Sequence, residues 1–128
     1  MKYLLDTHAL LWLFSDHPSL SQTVRDMFLD PQTKLHVSSV SLWEITIKWN
    51  LGKIELRGSW LKELEKERKA NDINWLDIKQ AHLGSLMQLP FLHRDPFDRL
   101  LIAQAQAEGM VVITADHNIH KYNVPCLW

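Results

Sequence analysis

Lys2-Tyr3-Leu4-Leu5-Asp6-Thr7-His8-Ala9-Leu10-Leu11-Trp12-Leu13-Phe14 decides the fold class. An apolar-rich run from Lys2 to Leu5 stops at an acid, and six apolar residues follow from Ala9 to Phe14. The second run is too apolar for a surface helix, so the stretch predicts a buried strand feeding a largely buried helix. The alternation then recurs. Leu20, Val24, Met27 and Phe28 recur at helical spacing behind Ser19 and Ser21, either able to cap, and Asp30-Pro31 ends that helix. Lys34 to Ser38 predicts a second strand, and Ser41 to Leu51 a helix closed by Gly52. Ser59 to Lys69 predicts an exposed charged helix, Ile73 to Leu76 a short strand, and Ile78 to Leu89 a helix stopped by Pro90. Asp95-Pro96 opens a helix that runs to Glu108 and ends at Gly109. Met110 to Thr114, with Val-Val-Ile at its centre, is the clearest buried strand, and Val124 to Trp128 suits an edge strand because it carries Pro125. Strands separated by helices imply right-handed crossovers and an α/β fold: a parallel sheet with helices on both faces.

Length and composition narrow the field. The 128 residues suit a single domain, 1–128, because two units of half that size would each have a marginal core. Fourteen Lys and Arg against fifteen Asp and Glu leave a net charge of −1, so no global basic field draws nucleic acid to the surface. Any such partner must be held locally or through metal. No apolar run approaches the roughly 20 residues of a membrane span. A single cysteine, Cys126, closes no disulfide within the chain, which fits a reducing compartment, the cytoplasm by default.

In a parallel sheet, ligands collect where the strands end at their carboxyl termini. Four acids map to that edge. Asp6 and Asp116 end two strands, while Glu44 and Asp98 open the helices that begin near Ser41 and Pro96. Each has a structural alternative: Ser41-x-x-Glu44 is a capping box, Asp95-Pro96-x-Asp98 is a cap, a first-turn proline and an acid at the positive helix end, and Asp116 can cap a terminal helix. Two positions resist that alternative. Asp98 shares a helical stripe with Ile102 and Ala105, and Asp6 stands between two apolar runs. Two like charges 4 Å apart repel by about 4 kcal/mol at an effective dielectric of 20, so a cluster of four needs a cation or a proton. Oxygen ligands favour a hard ion, Mg²⁺ or Mn²⁺, and such an ion suits phosphodiester hydrolysis.

The same residues carry a resemblance. Leu4-Leu5-Asp6-Thr7-His8-Ala9-Leu10-Leu11-Trp12, then Ser38-Ser39-x-Ser41-x-Trp43-Glu44-Ile45 with Gly52-Lys53, then His93-Arg94-Asp95-Pro96-Phe97-Asp98-Arg99-Leu100-Leu101-Ile102, then Thr114-Ala115-Asp116 resembles the PIN-domain ribonucleases of the VapC-type toxin class. The order and spacing match across nearly the whole chain. The resemblance implies a three-layer α/β/α sandwich and a metal-dependent endoribonuclease, held inactive by a cognate antitoxin and commonly homodimeric. It assigns Asp6, Glu44, Asp98 and Asp116 to Mg²⁺ or Mn²⁺, with Thr114 supporting the site. Asp95 is taken mainly as a cap, its entry into the metal shell being the alternative.

Other residues leave readings open. Arg94 and Arg99 flank the Asp95 to Asp98 turn and suit either phosphate contact or neutralisation of the acids. His8, His93 and His117 lie close to site acids, but none of the seven histidines has a zinc-binding spacing. Trp12 and Trp43 are expected in the core, whereas Trp49 and Trp60 suit base stacking or a partner surface. The apolar residues from Leu20 to Phe28 are read as an exposed surface for homodimerisation. Two rival functions remain: a PIN-like nuclease acting on other nucleic acid outside a toxin pair, and a non-catalytic module that holds metal and binds a partner. No nucleophile elbow or phosphate-binding glycine loop is present, which excludes serine hydrolases and P-loop NTPases.

Overall fold

A computed structural model describes residues 1–128. Five strands, β1 (Lys2–Leu5), β2 (Lys34–Ser38), β3 (Asn74–Leu76), β4 (Val111–Ile113) and β5 (Cys126–Leu127), form one sheet in the order β3-β2-β1-β4-β5. Every pairing is parallel, with Tyr3 opposite Leu35 on one side and Leu4 opposite Val112 on the other. The helices are α1 (Thr7–Ser15), α2 (Gln22–Leu29), α3 (Ser39–Asn50), α4 (Trp60–Ala70), α5 (Gln80–Met87), α6 (Pro96–Glu108) and α7 (His117–His120). The predicted three-layer α/β/α sandwich is the architecture found.

Alternation along the strands builds the two outer layers, because neighbouring side chains of a strand point to opposite faces. Leu4, Leu76 and Val112 face a core completed by Leu101, Ile102 and Ala105 of α6 and by Ile119. Leu5, Leu35, Val37 and Ile113 face the other core, with Ala9, Leu10, Val24 and Leu64 from α1, α2 and α4. Leu101 is fully buried, and its truncation to Ala would cost about 2–5 kcal/mol. Gly109 ends α6 in the left-handed region at φ 67°, where a side chain would be strained, and the chain turns directly into β4.

The topology fixes where a site can form. From β1 the chain moves outward through β2 to β3, then returns to the other side of β1 with β4. The carboxyl ends of β1 and β4 therefore flank the point where the connections diverge, the crevice in which parallel sheets bind ligands.

Three expectations about side chains are corrected. Leu20 and Val24 are buried against the sheet, so the stretch from Leu20 to Phe28 is no exposed dimerisation face. Trp43 is 55% exposed, meeting Phe97 edge-on at 5.1 Å at the surface, because α3 turns that position away from both cores. The helix after β2 begins at Ser39 with Ser38 as its cap, its hydroxyl accepting from the Val40 N–H, so Ser41 and Glu44 form no capping box.

Candidate active site

Asp6 and Asp116 come together. Both line one cleft of about 220 Å³ at the ends of β1 and β4, with His8, Ala9, Trp12, Ala115 and Trp128 around them. Asp6 is buried, and the sequence argument against a capping role for it does not hold: it caps α1, its Oδ1 accepting from the Ala9 N–H at 2.7 Å. Burial pushes the Asp6 carboxyl above its ordinary range, while the Thr114 hydroxyl and the Ala9 amide pull the other way. Thr114 also joins the two acids, because its fully buried hydroxyl accepts from the Asp116 N–H at 3.0 Å. Asp116 Oδ1 accepts from Asn118 N–H at the start of α7, so it caps as well.

Asp98 lies in the first turn of α6, and its carboxyl is pushed up to about 8. Burial is the largest cause, followed by the like charges of Asp95, Asp116, Glu44 and Asp6. One carboxyl thus feels all the other acids singled out from the sequence, which places them around a common region of negative potential. Asp95 serves as the expected cap, Oδ1 accepting from Phe97 and Asp98 N–H groups at 2.9 and 3.1 Å.

Glu44 reaches the same region from the second turn of α3, where it is almost fully buried. Both of its oxygens have partners. Thr7 Oγ1 stands 2.6 Å from Oε1, and Lys48 Nζ stands 2.5 Å from Oε2. Lys48 was not among the sequence candidates, although it lies four residues after Glu44 on one helix, a spacing that brings opposite charges together. Thr7 had no such signal, since its contact with Glu44 joins two helices distant in sequence.

The two arginines separate. Arg94 is exposed and remains open to phosphate. Arg99 is buried, donating from Nη1 to Pro90 O at 2.8 Å and from Nη2 to Leu89 O at 3.3 Å, while its guanidinium lies over the Phe91 ring. Neither phosphate contact nor pairing with the acids describes it; it pins the loop before α6. Trp49 is exposed and, with Trp60 and Leu61, borders an apolar groove of about 360 Å³ away from the acids.

The donors suit a hard cation: the candidate ligand atoms are carboxylate oxygens, and the charge on Asp98 is disfavoured by burial and then by its four acidic neighbours. No three of these acids, with or without a His or Cys, stand together as a ready-made ligand set.

A three-layer parallel α/β domain with paired aspartates at its topological switch point defines the class. The chain belongs to the PIN-domain family, whose model matches residues 3–125. PIN domains are nucleases that generally use divalent metal ions. Among solved structures, a chain of VapBC2 from Rickettsia felis, bound to a DNA fragment from its promoter, shares the fold with a TM-score of 0.75 and 16% identity over 99% of this chain and 98% of its own. A chain of VapBC-1 from nontypeable Haemophilus influenzae gives 0.72 and 18% over 99% and 97%. A chain of a toxin-antitoxin complex from Klebsiella pneumoniae gives 0.63 and 18% over 98% and 96%. At these identities the likeness is one of fold. No curated protein matches the sequence. No helix is long and apolar enough to cross a membrane.

Proposed function

We propose that this PIN domain is a Mg²⁺- or Mn²⁺-dependent endoribonuclease and the toxin of a toxin–antitoxin pair, acting on cytoplasmic RNA. The observation that carries the reading is the cleft at the ends of β1 and β4 lined by both Asp6 and Asp116, with Asp98 nearby raised to about 8 by burial and then by the like charges of Asp95, Asp116, Glu44 and Asp6. Asp6 and Asp116 are the principal ligands, with Asp98 and Glu44 completing the acidic cluster. When bound, the ion supplies an activated water at neutral pH and charge neutralisation at the scissile phosphate. The chain does the positioning. Thr114 sets Asp116 against Asp6, and Thr7 and Lys48 hold Glu44 where it can orient a water. Arg94 meets the phosphate backbone from the rim, as a fork of donors suits phosphate oxygens.

An antitoxin would silence such a site by placing a basic side chain among the acids. The Lys48 ammonium paired with Glu44 supports that reading. The exposed Trp49, Leu51 and Leu61 offer apolar surface for that partner or for a second copy in a homodimer.

Purified protein with saturating Mn²⁺ is expected to cut single-stranded RNA in preference to DNA, and Asp6→Asn to abolish the cut. A wild-type protein that binds Mn²⁺ without cutting RNA would support a binding module instead, and preferred cutting of DNA would favour a nuclease outside a toxin pair. Inhibition by a co-expressed antitoxin that survives replacement of its basic residues would overturn the silencing mechanism.

A further inference from the structure

His93 and Tyr122 lie beside Asp98 and have no part in the chemistry described so far. Tyr122 is buried, and three N–H groups point at its hydroxyl oxygen: Leu92 N at 3.1 Å, His93 N at 3.1 Å and Arg99 Nη1 at 3.0 Å. A fourth neighbour, His93 Nδ1, stands 3.0 Å away. A hydroxyl oxygen has two lone pairs and one hydrogen, so two of these N–H donors already fill its acceptor capacity, and the Leu92 N–H is shared with the Pro90 carbonyl. Its own hydrogen must therefore go to the one neighbour able to accept it, the Nδ1 lone pair. In a neutral imidazole that leaves the hydrogen on Nε2, which faces Asp98 Oδ2 at 3.4 Å.

We propose that His93 is a positioning residue for Asp98, locked by Tyr122 in the Nε2–H tautomer so that it donates to Oδ2. Arg99 stands behind the lock, its guanidinium held by the Pro90 and Leu89 carbonyls while it donates to Tyr122. One oxygen of Asp98 is thereby tied, and the other has no hydrogen bond from the protein. Carboxylates that bind metal are oriented by such outer partners, whose loss costs about 10–100-fold in metal affinity or activity. The role of Asp98 as a ligand rests on the proposed function; the tautomer does not.

Nitrogen-15 NMR of histidine-labelled, EDTA-treated protein reads the tautomer directly. The expected spectrum shows His93 with a protonated Nε2 and a bare Nδ1, and Tyr122→Phe loses that exclusive preference. In Mn²⁺ titrations, His93→Leu should weaken binding by about 10–100-fold, and His93→Gln, which keeps a donor toward Asp98, should recover most of it. A hydrogen on Nδ1 in the wild type, or unchanged Mn²⁺ affinity in His93→Leu, would overturn the proposal. If the wild type bound no Mn²⁺ yet showed Nε2–H, the nuclease reading would fall and the tautomer lock would stand.

Discussion

Glu65 on α4 and Asp98 on α6 are both acids on helices, and the fold treats them in opposite ways. Arg68 donates to Glu65 from Nε and Nη2, Lys69 stands nearby, and Trp75 donates from its indole N–H at 3.1 Å. The Arg68 guanidinium beside it holds the Glu65 carboxyl at about 2. Asp98 has a single imidazole contact, and burial, followed by the like charges of four acids, pushes it up to about 8. Glu65 is met by cations within its own helix, as Glu44 is by Lys48; Asp98 has no Lys or Arg partner, and the fold gives up stability to keep its charge there. The buried Ser38, Gln104 and His82 make the same point, for they are hydrogen-bonded in a chain that ends on the half-buried Glu108, itself paired with Lys79.

The contrast breaks most visibly at Asp6. Asp6→Asn should lower Mn²⁺-dependent RNA cleavage by about a hundredfold or more, the scale for losing a charge-stabilising group. Asparagine caps helices nearly as well as aspartate, so thermal melting should stay near wild type. Lys48→Met comes next. It leaves the buried Glu44 carboxylate with Thr7 alone, and chemical denaturation should show a loss of about 2 kcal/mol, below that of a fully buried pair because Lys48 is partly exposed. Added Mn²⁺ should restore part of it, and Lys48→Arg should retain most.

Asp98 and Glu65 should also leave opposite signatures in pH. Between the usual 3.8 and about 8, folded Asp98 binds more protons than the unfolded chain does, so its effect on stability worsens as pH rises through that window. Asp98→Asn should therefore melt progressively higher than wild type from pH 4 to 8 in EDTA, and saturating Mn²⁺ should remove the difference. Glu65, lowered from 4.5 to about 2, contributes stability above pH 4.5 that is lost as pH falls toward 2. The smallest effect belongs to Glu65→Gln at neutral pH, a slight fall in melting temperature that moderate salt should reduce, since Glu65 is partly exposed and Arg68 keeps its bond to the Ile73 carbonyl.

Much of this was legible from residue order. Strands one, two and four, the helices, and the placement of Asp6 and Asp116 at strand ends follow from apolar runs that stop at acids. The three-residue β3 and β4 and the two-residue β5 are each shorter than their apolar windows. What escaped was side-chain direction and long-range contact. Nothing in the sequence turns Trp43 outward, buries Arg99 among carbonyls, or brings Thr7 to Glu44 and Tyr122 to His93. Those depend on how helices pack across the sheet. Glu44 lies in the second turn of α3 rather than the first because Ser38, not Ser41, caps the helix.

A crystal soaked in MnCl₂ and recorded at the manganese absorption edge tests the central assignment most directly. The expected result is an anomalous peak ligated by Asp6 and Asp116 at the ends of β1 and β4, with Asp98 drawn toward it. No peak at that edge at saturating Mn²⁺, or a peak elsewhere on the surface with these carboxylates still apart, would contradict it.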